Sequence, residues 1–219
     1  MFILKMLLRE TRESAIVIFR YYRQYKFLFT ELLLFWLYLV RNPYQICRRY
    51  FRKRGDNAQV YGETPITTMA TLVERLNIQP KNNVLELGCG RGRLVFWLNI
   101  IQGCRVTGVD CVPVFINIAR RISKVCHISG VNWLNQDLMT VSLKGYDFIF
   151  LYGTTLDDNA LEAWVKARMH ELAPGASIVT VSYSLIEYGA APYLTLVNTV
   201  VLPFPWGETE VYIHRRLCQ

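Results

Sequence analysis

The 219-residue sequence is poor in histidine, with only three (127, 170 and 214), and its six cysteines (47, 89, 104, 111, 126 and 218) form no CxxC pair. A structural zinc site needs Cys and His clustered at short spacings, so no metal site is expected. The same scatter of cysteines offers no disulfide framework and fits a reducing, intracellular setting. No proline precedes Pro43 and no glycine precedes Gly55, so nothing before Pro43 is bound to break a helix. The richest apolar run of that region, FLFTELLLFWLYLV (27–40), contains Glu31 and is shorter than the roughly 20 residues of a simple membrane crossing. There is no short apolar stretch ending in a small-residue cleavage site, so a secretory leader is not expected. Repeats and low-complexity tracts are absent.

What is present is unevenly distributed. Residues 1–57 hold 12 Lys/Arg against 4 Asp/Glu, while residues 58–219 hold 13 against 13, so the whole formal excess of +8 sits in the first quarter. Lys26 and Arg41 bracket the apolar run, Trp36, Tyr38, Tyr44 and Tyr50 add interfacial aromatics, and the cluster RRYFRKR (48–54) follows. Residues 1–57 therefore read as a basic and apolar helical segment that associates with an anionic membrane surface, on a cytoplasmic or organellar face. The plainer reading is a helix packed on the domain or on a partner. Nucleic acid ranks third, because so apolar a neighbouring helix does not suit a soluble nucleic-acid binder.

From residue 58 to 219 the pattern becomes one α/β domain. Thr64-Pro65 opens a helix to about Leu76, with Thr64 as N-cap. Strands are expected at Asn83–Leu87, Arg105–Asp110, Val131–Asn135, Phe148–Tyr152 and Ser177–Ser182. Helices are expected at Gly92–Ile101, Val114–Cys126 and near Asn159–Leu172. Strands alternating with helices define a mostly parallel, Rossmann-like sheet. Val197–Leu202 and Thr209–His214, around the PFPWGE turn, add an antiparallel hairpin and bring the count to seven strands. Ligands of such sheets sit beyond the carboxyl ends of the central strands.

The stretch NNVLELGCGRGRLVFWL (82–98) carries the chemistry. A phosphate-binding loop would need Lys-Ser/Thr after its glycines, and Arg93-Leu94 stands there. A dinucleotide fingerprint counted from Gly88 needs a small residue at 93, and the third glycine, Gly92, comes one position early. What remains is Glu86-x-Gly88-Cys89-Gly90-x-Gly92. This motif, with Asp110 ending the second strand and Asp137 following the third, resembles motif I and its partners in the class I, seven-strand S-adenosylmethionine methyltransferases. The physics agrees: that cofactor carries an ammonium and a sulfonium and no phosphate, so a strand-end carboxylate such as Glu86 suits it. Glycines let the backbone approach the ligand. The resemblance implies S-adenosylmethionine as cofactor, with Asp110 on the ribose hydroxyls, Asp137 at the adenine amino group, and Cys111 and Leu138 on the adenine face. The plain alternative for each acid is a helix cap.

The strand FIFLY runs into Gly153-Thr154-Thr155 without the Asn/Asp-Pro-Pro-Tyr/Phe loop of adenine and glutamine amino-methyltransferases, and without a Pro-Cys nucleophile. The three histidines lie outside the cofactor loops and are expected as surface or capping residues. Upstream, VYGETPITT (60–68) resembles the loop that closes over the methionine end of the cofactor in DOT-type lysine methyltransferases and in small membrane-anchored mitochondrial lysine methyltransferases. That resemblance implies Tyr61, Glu63 and Thr64 as cofactor contacts, Glu63 facing the ammonium, and a protein lysine as acceptor. The DOT-type Asn-Asn-Phe loop is Tyr152-Gly153-Thr154 here, so substrate contacts do not transfer. A lysine amine, with a pKa of about 10.4, must lose its proton before attack, and an apolar channel favours the neutral form. Tyr61 and Tyr152 are the candidate walls and Thr154 a polar contact. Two alternatives stay open: a small-molecule or lipid-associated acceptor, and a non-catalytic methyltransferase-fold assembly protein.

Overall fold

The computed structural model describes residues 2–55, 61–152 and 156–218, with side chains from residue 6 onward. Five strands, β1 (Asn83–Leu87), β2 (Arg105–Asp110), β3 (Val131–Asn135), β4 (Phe148–Leu151) and β5 (Ser177–Val181), run parallel. β6 (Leu194–Phe204) and β7 (Gly207–Arg216) form a hairpin whose second strand lies antiparallel on β5. The order β3-β2-β1-β4-β5-β7-β6 makes the expected seven-stranded sheet. Strand order reverses between β1 and β4, which opens a crevice at their carboxyl ends. The hairpin strands are longer than their apolar cores suggested, and only Pro205 and Trp206 turn the chain between them. β4 stops at Leu151, which leaves Tyr152 at its mouth.

Alternation of side chains sorts the core into two layers. Val84, Val106, Phe150 and Val179 face one layer with Val95, Phe96 and Trp97 of α5 (Arg93–Ile100) and Phe115 and Ile116 of α6 (Pro113–Val125). Leu85, Leu87, Ile149 and Ile178 face the other, against Trp164 and Val165 of α7 (Asp158–Arg168). Central strands covered on both faces read as unbroken apolar runs, which is why β1 was plain in the sequence.

Two local readings need correction. The N-terminal helical segment is not continuous but, among the described residues, forms three helices: α1 (Phe2–Tyr21), α2 (Tyr25–Leu39) and α3 (Pro43–Arg54). No glycine or proline marks the break at 22–24. Packing supplies it: Tyr21 meets Trp97 at 5.5 Å between ring centroids and Phe27 at 6.5 Å, so both sides of the corner fold onto α5. Phe27, Thr30, Leu34 and Tyr38 form the buried stripe of α2 against α5 and α6, and α1 packs on α4 (Ile66–Leu76). The N-terminal helices are thus a collar on the domain, and the expected boundary at 57/58 falls outside the described residues. Second, Thr64 is not the N-cap of α4. Pro65 holds that place with no side-chain cap, and the Glu13 carboxylate from α1 accepts instead from the Thr67 backbone N–H at 3.1 Å and from the Thr67 hydroxyl. An acid at a helix N-terminus suits the free donors and the dipole there.

The histidines divide. His127 and His170 are exposed, but His214, expected at the surface or a cap, is fully buried in β7. Its Nε2 accepts from the Leu185 N–H at 3.1 Å, so Nδ1 carries the proton, 3.3 Å from the Ile178 carbonyl. Burial lowers its pKa from 6.5 to about 4. The neutral form is favoured in the fold, so its contribution to stability is intact above pH 6.5 and is lost as pH falls toward 4. Chemical denaturation from pH 7 to 4 should show a loss that His214→Gln flattens, on the order of 3 kcal/mol at one 1.36 kcal/mol step per pKa unit. Equal slopes in both proteins would exclude His214 as the source.

Candidate active site

β1 leaves the sheet through Gly88, Gly90 and Gly92, each in the left-handed region at φ of 82°, 52° and 78°. Only glycine takes such a series without strain. The N–H groups of Gly88 and Cys89 both donate to the Val109 carbonyl, at 2.9 and 2.8 Å. One Asp110 carboxylate oxygen accepts from the Gly90 N–H and the other from the Val112 N–H, both at 2.8 Å. Asp110 therefore staples the loop after β1 to the loop after β2. Burial raises its pKa and those two donors oppose the rise. Gly92 has a packing reason of its own: a side-chain carbon there would collide with the Trp133 ring. That ring is fixed by its Nε1–H to Ser123 Oγ at 2.9 Å and by Phe96 at 5.1 Å. The glycine that falls one residue early for a dinucleotide is where β3 presents a tryptophan.

Glu86 sits at the carboxyl end of β1. Its Oε2 is buried and has no hydrogen-bond partner among the described residues. Burial, then the nearby charges of Glu63 and Asp110, push its pKa well above the ordinary carboxylate value. A buried acceptor without a donor is costly, and an ammonium group placed beside it removes the cost. On this observation the residues fit the amino-acid end of S-adenosylmethionine.

A strap, Tyr61–Thr64, crosses the glycine loop. A carbon added at Gly90 would come within 3.0 Å of the Tyr61 ring, which also meets Tyr44 at 5.3 Å and Phe115 at 5.5 Å. Glu63 is clasped by Arg91, whose Nε and Nη2 each lie 2.6 Å from a carboxylate oxygen, and it accepts from the Tyr61 hydroxyl. Burial alone would raise the Glu63 pKa, but Arg91 and Tyr61 outweigh it and the carboxyl stays below its usual range. Glu63 is thus bound to a protein cation, where the resemblance implied the cofactor's. Tyr152 packs on Gly62 and against Phe204 and Trp206, at 6.4 and 5.9 Å. The strap, Glu86, Gly88, Cys89 and Tyr152 enclose a cavity of about 20 Å³. That is room for about one water, so seating a ligand's amino-acid end there requires the strap to lift.

The adenosine side is more open. Asp137 is exposed and accepts from the Met139 N–H at 3.0 Å, capping a short turn at Leu138–Thr140; Cys111 and Leu138 are half-buried beside it. Thr154 lies outside the described residues. Sequence reasoning missed Arg91 and Arg93. Arg93 pairs with Glu31 of α2 through Nη2 at 2.7 Å and Nε at 3.0 Å, which ties the collar to the glycine loop. The signal was there in the lone acid of an apolar run, since a charge in such a stripe needs a buried partner. No group of three or more His, Cys, Asp or Glu among the described residues could hold a metal ion.

Fold and loop together define a Rossmann-like sheet of the methyltransferase type. Residues 84–175 match the family model described as "Methyltransferase domain". The chain carries a class I methyltransferase domain, the fold that uses S-adenosylmethionine. Among solved structures, an RNA methyltransferase from Salinibacter ruber in complex with S-adenosyl-L-homocysteine is 21% identical at a TM-score of 0.59, covering 72% of this chain and 95% of that one. The N-methyltransferase NodS from Bradyrhizobium japonicum is 21% identical at 0.54, covering 69% and 95%. TrmN from Thermus thermophilus is 16% identical at 0.61, covering 71% of this chain; the matched region spans 49% of TrmN. At these identities the shared property is the fold. No curated protein sequence matches the chain.

Gly92→Ala combines a left-handed backbone with a clash against a pinned ring, and overpacking of this kind costs about 1–3 kcal/mol before the backbone term is added. The thermal midpoint should fall by roughly 4 °C or more. An unchanged midpoint would show that Trp133 swings aside freely.

Proposed function

We propose that the protein transfers a methyl group from S-adenosylmethionine to a lysine amine of a protein. The observation that carries the cofactor half is Glu86, one of whose oxygens has no donor among the described residues, enclosed by the glycine loop and the strap. When bound, the cofactor supplies a methyl group on a positively charged sulfur. Glu86 and the Gly88–Gly92 backbone would hold its amino-acid end, with Asp110 at the ribose and Asp137, Cys111 and Leu138 around the adenine. Thr64 lines the same small cavity. Catalysis then asks the protein for position more than for covalent help. The mouth of β4 is walled by Tyr152, Phe204 and Trp206, surroundings that disfavour a charged amine and so help it shed its proton to solvent.

The lysine half rests on the resemblance of Tyr61-Gly62-Glu63-Thr64 to the lysine-modifying families. NodS, by its name, shows nitrogen methylation on this fold in another protein. A second reading, a lipid-associated acceptor, is favoured by one feature: Phe29, Leu32, Phe35, Trp36, Leu39 and Val40 of α2 and its end remain exposed. Basic residues Arg48, Arg49, Arg52, Lys53 and Arg54 follow on α3, all exposed. This apolar face with cations beside it supports association with an anionic membrane in the interface plane. No helix among the described residues is long and apolar enough to cross a membrane.

Transfer of labelled methyl groups into separated protein, lipid and RNA fractions decides the acceptor. Label should enter protein and disappear with Asp110→Ala. Label found only in lipid or RNA would overturn the lysine assignment, and absence of S-adenosylhomocysteine binding would favour an assembly protein. Membrane association predicts flotation with vesicles rich in anionic lipid that survives high salt in part. Phe29→Glu/Trp36→Glu should abolish flotation, and complete release by salt alone would rule out the apolar contact.

A further inference from the structure

A chamber of about 870 Å³ lies between α1, the end of α2, the strap and the turn of the β6–β7 hairpin. Glu63, Thr64 and Arg93 line both this chamber and the small cavity holding Glu86, so the strap and the Arg93 side chain separate the two. Its volume is that of a ligand site.

The polar groups left over in the chamber are specific. Tyr38 is 5% exposed and its hydroxyl has no hydrogen-bond partner among the described residues. Burial raises its pKa, so it remains a phenol with a proton to donate. Arg91, Arg93, Glu13 and Glu63 are committed to protein partners. Arg9, Arg12 and Glu10 from α1 and Glu208 from β7 line the chamber and make no ion pair among the described residues. Two uncommitted cations and two uncommitted anions balance. A nucleic acid requires an excess of cations for its phosphates, which this chamber lacks. An acyl chain would set four charges and a buried phenol against hydrocarbon. A peptide meets all of them: a backbone carbonyl accepts from Tyr38, an acidic side chain pairs with Arg9 and Arg12, and Glu10 and Glu208 attract the cationic lysine as it enters, before it sheds its proton at the aromatic mouth of β4. The aromatic rings of Tyr44, Tyr61 and Phe204 suit the lysine's methylene stem.

We infer that this chamber is the acceptor site and that it takes a peptide segment in which lysine stands beside an acidic residue, with α1 as its specificity-determining wall. The inference rests on the lysine methyltransferase reading and adds the sequence context of the acceptor.

The test uses the full chain and three fluorescein-labelled hexapeptides, each with one lysine flanked by aspartate, serine or arginine. Binding is read by anisotropy without cofactor, and transfer separately with labelled cofactor. The aspartate peptide should bind at least about ten-fold more tightly than the arginine peptide. Arg9→Glu/Arg12→Glu should reverse that order, its fold checked by an unchanged thermal midpoint, since both residues are exposed. Tyr38→Phe should weaken all three several-fold. Equal binding of the three peptides, or a preference that survives charge reversal, would overturn the inference. If the aspartate peptide binds as expected but accepts no methyl group, the site assignment stands and the lysine-transfer reading falls.

Discussion

The arrangement depends on one constraint: a carboxyl group, Glu86, must be kept in a buried place where no donor among the described residues reaches one of its oxygens. A lone buried acceptor raises the energy of the fold, so its surroundings must be built to hold it. Asp110 and Trp133 do this from either side. The Asp110 carboxylate pins the glycine turn to the next strand's loop, and the Trp133 ring leaves space at 92 for glycine alone. The left-handed turn, the close approach of the strap to Gly90 and the exit of α5 from Gly92 all follow from those two contacts.

The collar is joined to this loop by charge. Arg91 and Arg93 flank Gly92 and reach in different directions, one to Glu63 of the strap and one to Glu31 of α2. Arg91 also lies over the Tyr38 ring at 5.4 Å. A shift of α2 therefore acts on both sides of the cofactor loop through hydrogen-bonded ion pairs. Partly buried pairs of this kind fix geometry more than they add stability. The N-terminal helices are structural parts of the site, whatever surface their outer face meets.

The sheet was legible because central parallel strands are apolar throughout and glycine turns interrupt them sharply, as at Leu87–Gly88. Glu86, Asp110 and the three glycines were legible because they fall at strand ends at fixed spacing. The three-helix collar was not, since the break at 22–24 comes from Tyr21 packing on both Trp97 and Phe27, a tertiary contact with no local signal. The cap of α4 was misplaced for the same reason: Glu13 is 54 residues from the Thr67 group it binds. The Glu63–Arg91 clasp joins a residue that the strap motif singled out to one that it did not, a partnership only the fold creates. Asp137 shows the opposite case, where the plain capping role read from sequence is the one its carboxylate performs.

The central claim is that the Glu86 carboxyl awaits a cation. Its raised pKa means that it holds a proton more readily than an ordinary glutamate, and an ammonium ligand favours its ionised form. Calorimetric titration with S-adenosylhomocysteine near pH 7, repeated in buffers of different ionisation enthalpy, counts the protons exchanged on binding. The account predicts net proton release on binding, absent in Glu86→Gln together with a loss of affinity of about ten-fold or more. Binding with no proton release, and equal affinity in both proteins, would contradict it.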